Sequence, residues 1–276
     1  MEDDERQRLA ATFDRAADLY QSARPEYPAE VYDRLLEVTQ LDPPAALLEV
    51  GCATGKATLP LARRGFRITC LEPGPSLAAV ARRALASFDV EVVETRLEDW
   101  AGPAEHFQLV YAATAWHWVD PSIRYQKAAS LLAPGGFLAF WEAVHVIPYD
   151  GDPFFTQLQE VYDEINEGLP SDAVLPRPQE LPDRSTEIEA TGLFEVADVY
   201  QYDWELIYDA DGYIDLLNTF SGHIAMEEWQ RARLYGAIRD RLAERPDGRL
   251  RRHWGGVLHI ARRTERSSQE VGAWPS

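Results

Sequence analysis

Between residues 47 and 64 an apolar run, Leu47-Leu48-Glu49-Val50, breaks into the small residues Gly51-Cys52-Ala53-Thr54-Gly55 and resumes as Leu59-Pro60-Leu61-Ala62. Few folds accept that order: it predicts a buried parallel strand, a tight turn and a helix opening directly behind it. Gly51 and Gly55 let the backbone approach a ligand where a Cβ would collide. The helix start offers unpaired N–H groups to a carboxylate or phosphate. Seventeen positions after Gly55 a second apolar run, Ile68-Thr69-Cys70-Leu71, ends on Glu72. A carboxylate at that tip can accept both hydroxyls of a ribose.

The same alternation continues for about a hundred residues. Strands are expected at 46–50, 67–71, 90–94, 107–113 and 136–144, with helices near 55–64, 76–87 and 122–132. That rhythm specifies a parallel sheet with helices on both faces, its strand tips gathered along one edge. Upstream, Leu9, Thr12, Phe13, Ala16, Leu19 and Tyr20 keep helical spacing until Arg24-Pro25-Glu26-Tyr27-Pro28 breaks it. A second helix runs through Val31, Leu35, Leu36 and Val38. An arginine between two tyrosines in a Pro-bounded loop suits an anion clamp; the alternative is a helix pair that merely covers the sheet. Downstream, a stretch over 145–184 surrounds an amphipathic helix at 154–165 and is too long for a simple connection. A long strand at 195–208, helices at 211–220 and 227–242, and a strand at 251–261 follow. The expected division is a helical segment over 1–40, a main domain over 41–263 with insertions near 145–190 and 209–247, and a loose tail over 264–276.

Composition narrows the partners. Forty-six Asp and Glu against 27 Lys and Arg leave a formal net charge of −19 at pH 7, which repels nucleic-acid backbones and anionic lipid. No apolar run reaches the length of a membrane span, and the acidic start Met1-Glu2-Asp3-Asp4-Glu5 has no signal-peptide core, so a cytoplasmic location is expected. Cys52 and Cys70 read as small buried residues rather than a disulfide or metal pair. Neither metal-ligand spacing nor a Ser–His–Asp or Cys–His constellation stands out.

A dinucleotide fingerprint requires glycine at the first, third and sixth places, where this chain has Gly51, Ala53 and Lys56. The spacing Glu49-x-Gly51-x-Ala53-x-Gly55 instead resembles the first motif, E/D-x-G-x-G-x-G, of class I S-adenosylmethionine-dependent methyltransferases. It departs from that motif at the middle glycine, now Ala53, and at the last, where Lys56 or Ala57 stands. Ala115-Trp116-His117-Trp118-Val119-Asp120 resembles the segment after the fourth strand in the small-molecule branch (methyltransferase type 11) that includes trans-aconitate methyltransferase-like enzymes. Leu132, Pro134, Gly135 and Gly136 match the family's turn before the fifth strand. Phe13-Asp14, Tyr20, Arg24-Pro25 and Tyr27-Pro28 resemble the lid of small-molecule methyltransferases. The resemblance spans about residues 10–145.

It implies a seven-stranded, mostly parallel, doubly wound Rossmann-like α/β sheet that finishes in an antiparallel hairpin, under a helical cap. S-adenosylmethionine is the implied cofactor, placed against Tyr20, Arg24, Glu49, Gly51, Cys52, Ala53, Gly55, Glu72, Pro73, Leu97, Glu98 and Ala113. Glu98 or Asp99 would meet the adenine amino group, since Arg96 occupies the place where many relatives carry an aspartate. A small organic acceptor would lie against Tyr27, Trp116, His117, Trp118, Trp141, Glu142 and His223.

Methyl transfer from a sulfonium needs alignment and a dry pocket more than it needs acid–base help. Trp116, Trp118 and Trp141 could hold the sulfonium by cation–π attraction or could simply fill core. His117 is the candidate general base, with an ordinary pKa near neutrality; orienting a carboxylate and a purely structural role are its alternatives. His145 is a weaker version of the same idea. Two other functions compete. A nicotinamide-dependent oxidoreductase is disfavoured by Lys56, and a non-catalytic nucleoside-binding protein by the aromatic segment at 116–118.

Overall fold

The computed structural model describes residue 14 and residues 17–168 and 175–264. The expected helical positions Leu9, Thr12, Phe13 and Ala16, and the tail beyond 264, lie outside the described residues.

Eight strands form one sheet: β1 (Ala46–Val50), β2 (Arg67–Leu71), β3 (Val90–Val93), β4 (Phe107–Ala113), β5 (Leu132–Trp141), β6 (Val144–Val146), β7 (Phe194–Tyr208) and β8 (Leu250–Arg263). Their order is β3-β2-β1-β4-β5-β8-β6, with β7 on the other side of β8. The first five pair in parallel, and β8 runs antiparallel to β5, β6 and β7. The mostly parallel, doubly wound class is the expected one. The count is eight rather than seven because the run read as one strand over 136–144 is two. At Glu142-Ala143 the ladder stops: the Tyr202 hydroxyl donates to the Glu142 carbonyl at 2.7 Å, and the Ala143 N–H donates to Thr114 Oγ1 at 3.1 Å. Gly256 on β8 permits this dip, since a Cβ there would stand 2.1 Å from the Glu142 carbonyl oxygen.

Helices cover both faces. On one, α1 (Ala17–Ala23) leads to α2 (Ala29–Thr39), whose Val31, Tyr32 and Leu35 are buried with Leu61, Phe66 and Trp141. The helix after β1, α3 (Thr58–Ala62), is shorter than expected because the turn before it is long. The same face carries α4 (Pro75–Leu85), which buries Ala81 and Leu85 there and opens with proline at its first position, where no N–H is missed; the opposite face belongs to the next helix. After it, α5 (Arg124–Leu131) packs with Leu48, Val110, Leu138 and Phe140.

A third cluster lies over the far halves of β7 and β8. There α6 (Phe154–Glu164), α8 (Ala210–Leu217) and α10 (Glu228–Ala243) bury Phe154, Leu158, Val161, Ile214, Leu217, Leu234 and Ile238 against Leu250 and Trp254. Between α6 and α8 the chain forms α7 (Ser185–Ala190), and between α8 and α10 the short α9 (Ser221–Ala225). Asp152 pins this helical layer to the sheet. Its carboxylate accepts both arms of Arg245, at 2.7 and 2.8 Å, and the N–H groups of Phe154 and Arg251 at 3.0 and 2.9 Å. Among the described residues, no helix is long and apolar enough to cross a membrane.

Candidate active site

The turn after β1 is shaped by left-handed backbone at Gly51 (φ 70°), Ala53 (φ 48°) and Gly55 (φ 85°). A Cβ on Gly55 would stand 2.8 Å from Leu85 Cδ1, and one on Gly51 2.7 Å from the Ala115 methyl. Both the left-handed φ and the protein neighbours therefore favour glycine at these positions. Ala53 holds the middle position in a conformation that costs a side-chain-bearing residue roughly 1–2 kcal/mol. Its N–H is aimed at Glu72 Oε2, 2.8 Å away.

Glu72, at the tip of β2, is 5% exposed, and its other oxygen accepts the Gly74 N–H at 2.9 Å. Burial pushes its pKa up to about 7, against the pull of these two hydrogen bonds, and the nearby Asp14 adds to the rise. Asp14 itself caps α4: its Oδ1 accepts the Ser76 and Leu77 N–H groups at 2.7 and 3.0 Å. Beneath the turn, Glu49 is buried and accepts from Thr58 Oγ1 at 2.6 Å and the Tyr111 hydroxyl at 2.7 Å. Its burial likewise raises its pKa to about 7.

Beyond β3, Leu97 is buried and Glu98 accepts the Asp120 N–H at 3.0 Å, tying the two loops together. Beyond β4, Thr114 takes φ 53°, an unusual conformation for a β-branched residue. Its hydroxyl meets the Tyr27 hydroxyl at 2.6 Å and accepts the Ala143 N–H. The following Trp116–Trp118 is a single 3₁₀ turn that splits its side chains. Trp116 faces the core, stacked on Phe140 at 5.5 Å, while His117 and Trp118 face a cavity. Desolvation around His117 lowers its pKa, with Glu142 opposing, which favours the neutral ring.

That cavity measures about 740 Å³. Of the residues singled out from sequence, it gathers Tyr20, Arg24, Gly51, Ala53, Glu72, Pro73, Leu97, Glu98, Ala113, His117 and Trp118. It also gathers residues the sequence did not single out for the site: Asp14, Thr114, Ile123, Phe220 and Ser221. A smaller cavity of about 30 Å³ alongside shares Tyr20 and Arg24 and is walled by Tyr27, Glu49, Cys52, Thr54 and Lys56. Arg24 spans the two cavities. It donates to the Thr219 carbonyl at 2.8 Å and lies over the Phe220 ring at 4.1 Å.

Other expected residues sit elsewhere. Gly55 packs on Leu85, as above, and Trp116 is in the core. Trp141 is 1% exposed, flat against Tyr111 at 5.7 Å with the edges of Tyr27 and Tyr32 against it, so it too is core rather than a sulfonium contact. Glu142 turns toward Arg184, 3.6 Å away. His223 is hydrogen-bonded to the Tyr162 hydroxyl at 2.8 Å, and burial lowers its pKa to about 4. His145 packs against Phe155 at 4.4 Å, with its pKa lowered to about 2, chiefly by burial.

Residues 47–136, which contain the β1 turn, Glu72 and the 116–118 segment, match a known family, the methyltransferase domain. The match identifies residues 47–136 as a methyltransferase domain. Over 162 residues the chain is 34% identical to an uncharacterized methyltransferase of Mycobacterium tuberculosis, covering 54% of this chain and 63% of that one. It is 30% identical over 108 residues to the trans-aconitate 2-methyltransferase of Rhodopseudomonas palustris, covering 38% of this chain and 41% of that one. The chain thus spans less than two thirds of the length of these curated relatives. The methyltransferase fold extends further: a protein of Anaeromyxobacter dehalogenans assigned as a type II methyltransferase superposes with a TM-score of 0.58 at 22% identity, over 87% of this chain and 97% of that one. Glu72, Gly51 and Ala53 line the large cavity from within the matched residues, and Arg24 and Phe220 line it from outside them.

Proposed function

We propose that this protein binds S-adenosylmethionine across the tips of β1 and β2 and transfers its methyl group to a small organic acceptor. The observation that carries this reading is Glu72: a buried carboxylate on the cavity wall, oriented by the Ala53 and Gly74 N–H groups. Each of its oxygens spends one lone pair on the backbone and keeps another for a ribose hydroxyl. Ala53 and Lys56 stand where a pyrophosphate cradle carries glycine, which suits a nucleoside without phosphates. Leu97 offers the base an apolar wall, and Glu98, held by Asp120, stands at its rim. Glu49 and Arg24, on the smaller cavity, match the two opposite charges of an amino-acid end.

S-adenosylmethionine supplies an activated methyl group on a sulfonium. The protein supplies alignment, and intramolecular analogues of such alignment reach on the order of 10⁵–10⁸ M effective molarity. His117 takes a proton from the acceptor or orients it, and Trp118 excludes water beside it. Residues 1–40 act as a lid, and the insertions near 145–190 and 209–247 as the cap that selects the acceptor. We place the protein in the cytoplasm, a reading supported by its two buried free thiols, Cys52 and Cys70.

Calorimetry tests the core of this reading. The protein binds S-adenosylhomocysteine and not NADH, and Glu72→Ala weakens the former by roughly 100-fold, two charge-assisted hydrogen bonds at about 1.5 kcal/mol each. A folded protein that takes up no S-adenosylhomocysteine overturns it.

A further inference from the structure

His117 stands on the wall of the large cavity, but the side chains that fix its turn lie behind that wall. The carbonyl of Trp116, the residue before it, accepts from Arg124 Nη1 at 3.3 Å. Arg124, on α5, is almost fully buried, with its guanidinium 5.7 Å from the Trp116 ring. Its other arm donates to Glu187 Oε1, on α7, within the insertion near 145–190. The Tyr125 hydroxyl donates to the same oxygen at 2.8 Å, and Arg184 Nη1 to the other at 3.3 Å. Arg184 in turn lies 3.6 Å from Glu142, just past β5, and its backbone N–H donates to His259 Nε2 at 2.8 Å.

The charges therefore alternate along Arg124, Glu187, Arg184 and Glu142. This line starts at the carbonyl beside His117 and ends past the strand that pairs with β4. Glu187 is the member bonded to both guanidiniums. Without it, a buried cation would lose its anion, which is strongly unfavourable, and the hold on the Trp116 carbonyl would slacken.

The same line sets the charge around the imidazole. After desolvation, the groups acting on His117 are Glu142, which favours its protonation, and Arg184 and Arg124, which oppose it. Glu187 offsets both opposing cations. The other charged groups on the cavity wall are Asp14, Arg24, Glu72, Arg96, Glu98 and Asp120, and they are common to every variant compared below.

We propose that Glu187 is a positioning residue for His117, acting through Arg124 on the turn that carries it and through Arg184 on Glu142. The insertion thereby governs where the imidazole stands and how readily it takes a proton. This rests on the reading of His117 as the group that meets the acceptor, and the test separates the two.

The imidazole proton resonances of the ligand-free protein are followed against pH, with His117 assigned by its loss in His117→Gln. Glu187→Gln lowers the His117 midpoint by roughly half a unit or more, because two guanidiniums near the ring lose their shared anion. Glu187→Asp returns most of that shift. S-adenosylhomocysteine binds Glu187→Gln and the wild type within about twofold of each other, since Glu187 is not on the cavity wall. Should Glu187→Gln not fold, Arg184→Met carries the test: it removes one opposing cation, and the midpoint rises by a similar amount. A midpoint that stays put while urea stability falls marks an ordinary ion pair and overturns the proposal. So does a midpoint that rises in Glu187→Gln, or one that stays put in Arg184→Met. A loss of S-adenosylhomocysteine affinity in Glu187→Gln that matches the shift also overturns it, by placing the damage on the cofactor wall. Failure of S-adenosylhomocysteine to bind the wild-type protein defeats the methyltransferase reading instead, and the His117 shift, measured without ligand, is scored alone.

Discussion

The strand-tip and helical contributions to the large cavity's wall are finished in different ways. At the strand-tip end, backbone geometry does most of the work: Ala53 and Gly74 orient Glu72, Asp14 caps α4, and Glu98 holds the Asp120 N–H. On the helical side, Arg24 and Phe220 line the cavity from segments far apart in the chain, and the Arg24 guanidinium lacks an acidic partner among the described residues. A wall built from a turn accepts one kind of ligand for as long as the turn survives. A wall built from side chains can be refitted residue by residue, which is how one fold serves many acceptors.

The sharpest way to break this contrast is to damage the helical layer alone. Asp152→Ala strips Arg245 and the Phe154 and Arg251 N–H groups of a buried carboxylate, and stability should fall by about 3–5 kcal/mol in urea denaturation. If the two ends are separate, S-adenosylhomocysteine affinity of the folded variant stays within about twofold, since none of the Asp152 contacts reaches the cavity. A parallel loss of affinity would show that the ends are coupled.

A pH series asks a finer question of the strand-tip end. Glu49 and Glu72 have folded pKa values raised to about 7, so both hold protons more tightly folded than unfolded. Their contribution to stability is full below the ordinary glutamate pKa of about 4.3 and is lost as pH rises through about 7. Nucleoside binding runs the opposite way, because ionised Glu72 is the better acceptor. Affinity for S-adenosylhomocysteine should rise by about tenfold from pH 6 to pH 8 while denaturant stability falls. A flat binding profile would take Glu72 out of the ribose contact.

The smallest effect belongs to the turn itself. Ala53→Gly removes left-handed strain but adds freedom to the unfolded chain, a net gain of about 1 kcal/mol or less. Thermal unfolding should move up by a few degrees at most, with affinity unchanged.

Much of the strand-tip end was legible in the sequence because it is local. The run into Gly51, the spacing to Glu72 and the strand–helix rhythm to β5 each depend on neighbours a few residues away. The break at Glu142-Ala143 depends instead on Tyr202 and Gly256, which come from other strands. Three bulky residues in a row, Trp116-His117-Trp118, carry no local sign of which turns inward; Phe140 decides it by stacking on Trp116. Phe220 was hidden for a related reason. Its segment reads as one helix over 211–220, whereas α8 stops at Leu217 and the turn before α9 delivers Phe220 and Ser221 to the cavity. Asp14 stood within a quoted motif, but its cap on a helix 62 residues onward has no signature in spacing.

One bond described above has a mechanical consequence. The Arg24 guanidinium holds the Thr219 carbonyl across 195 positions of chain. It ties the strip before β1 to the strip before β8, so the position of Arg24 on the cavity wall depends on the turn at Thr219 as well as on its own loop.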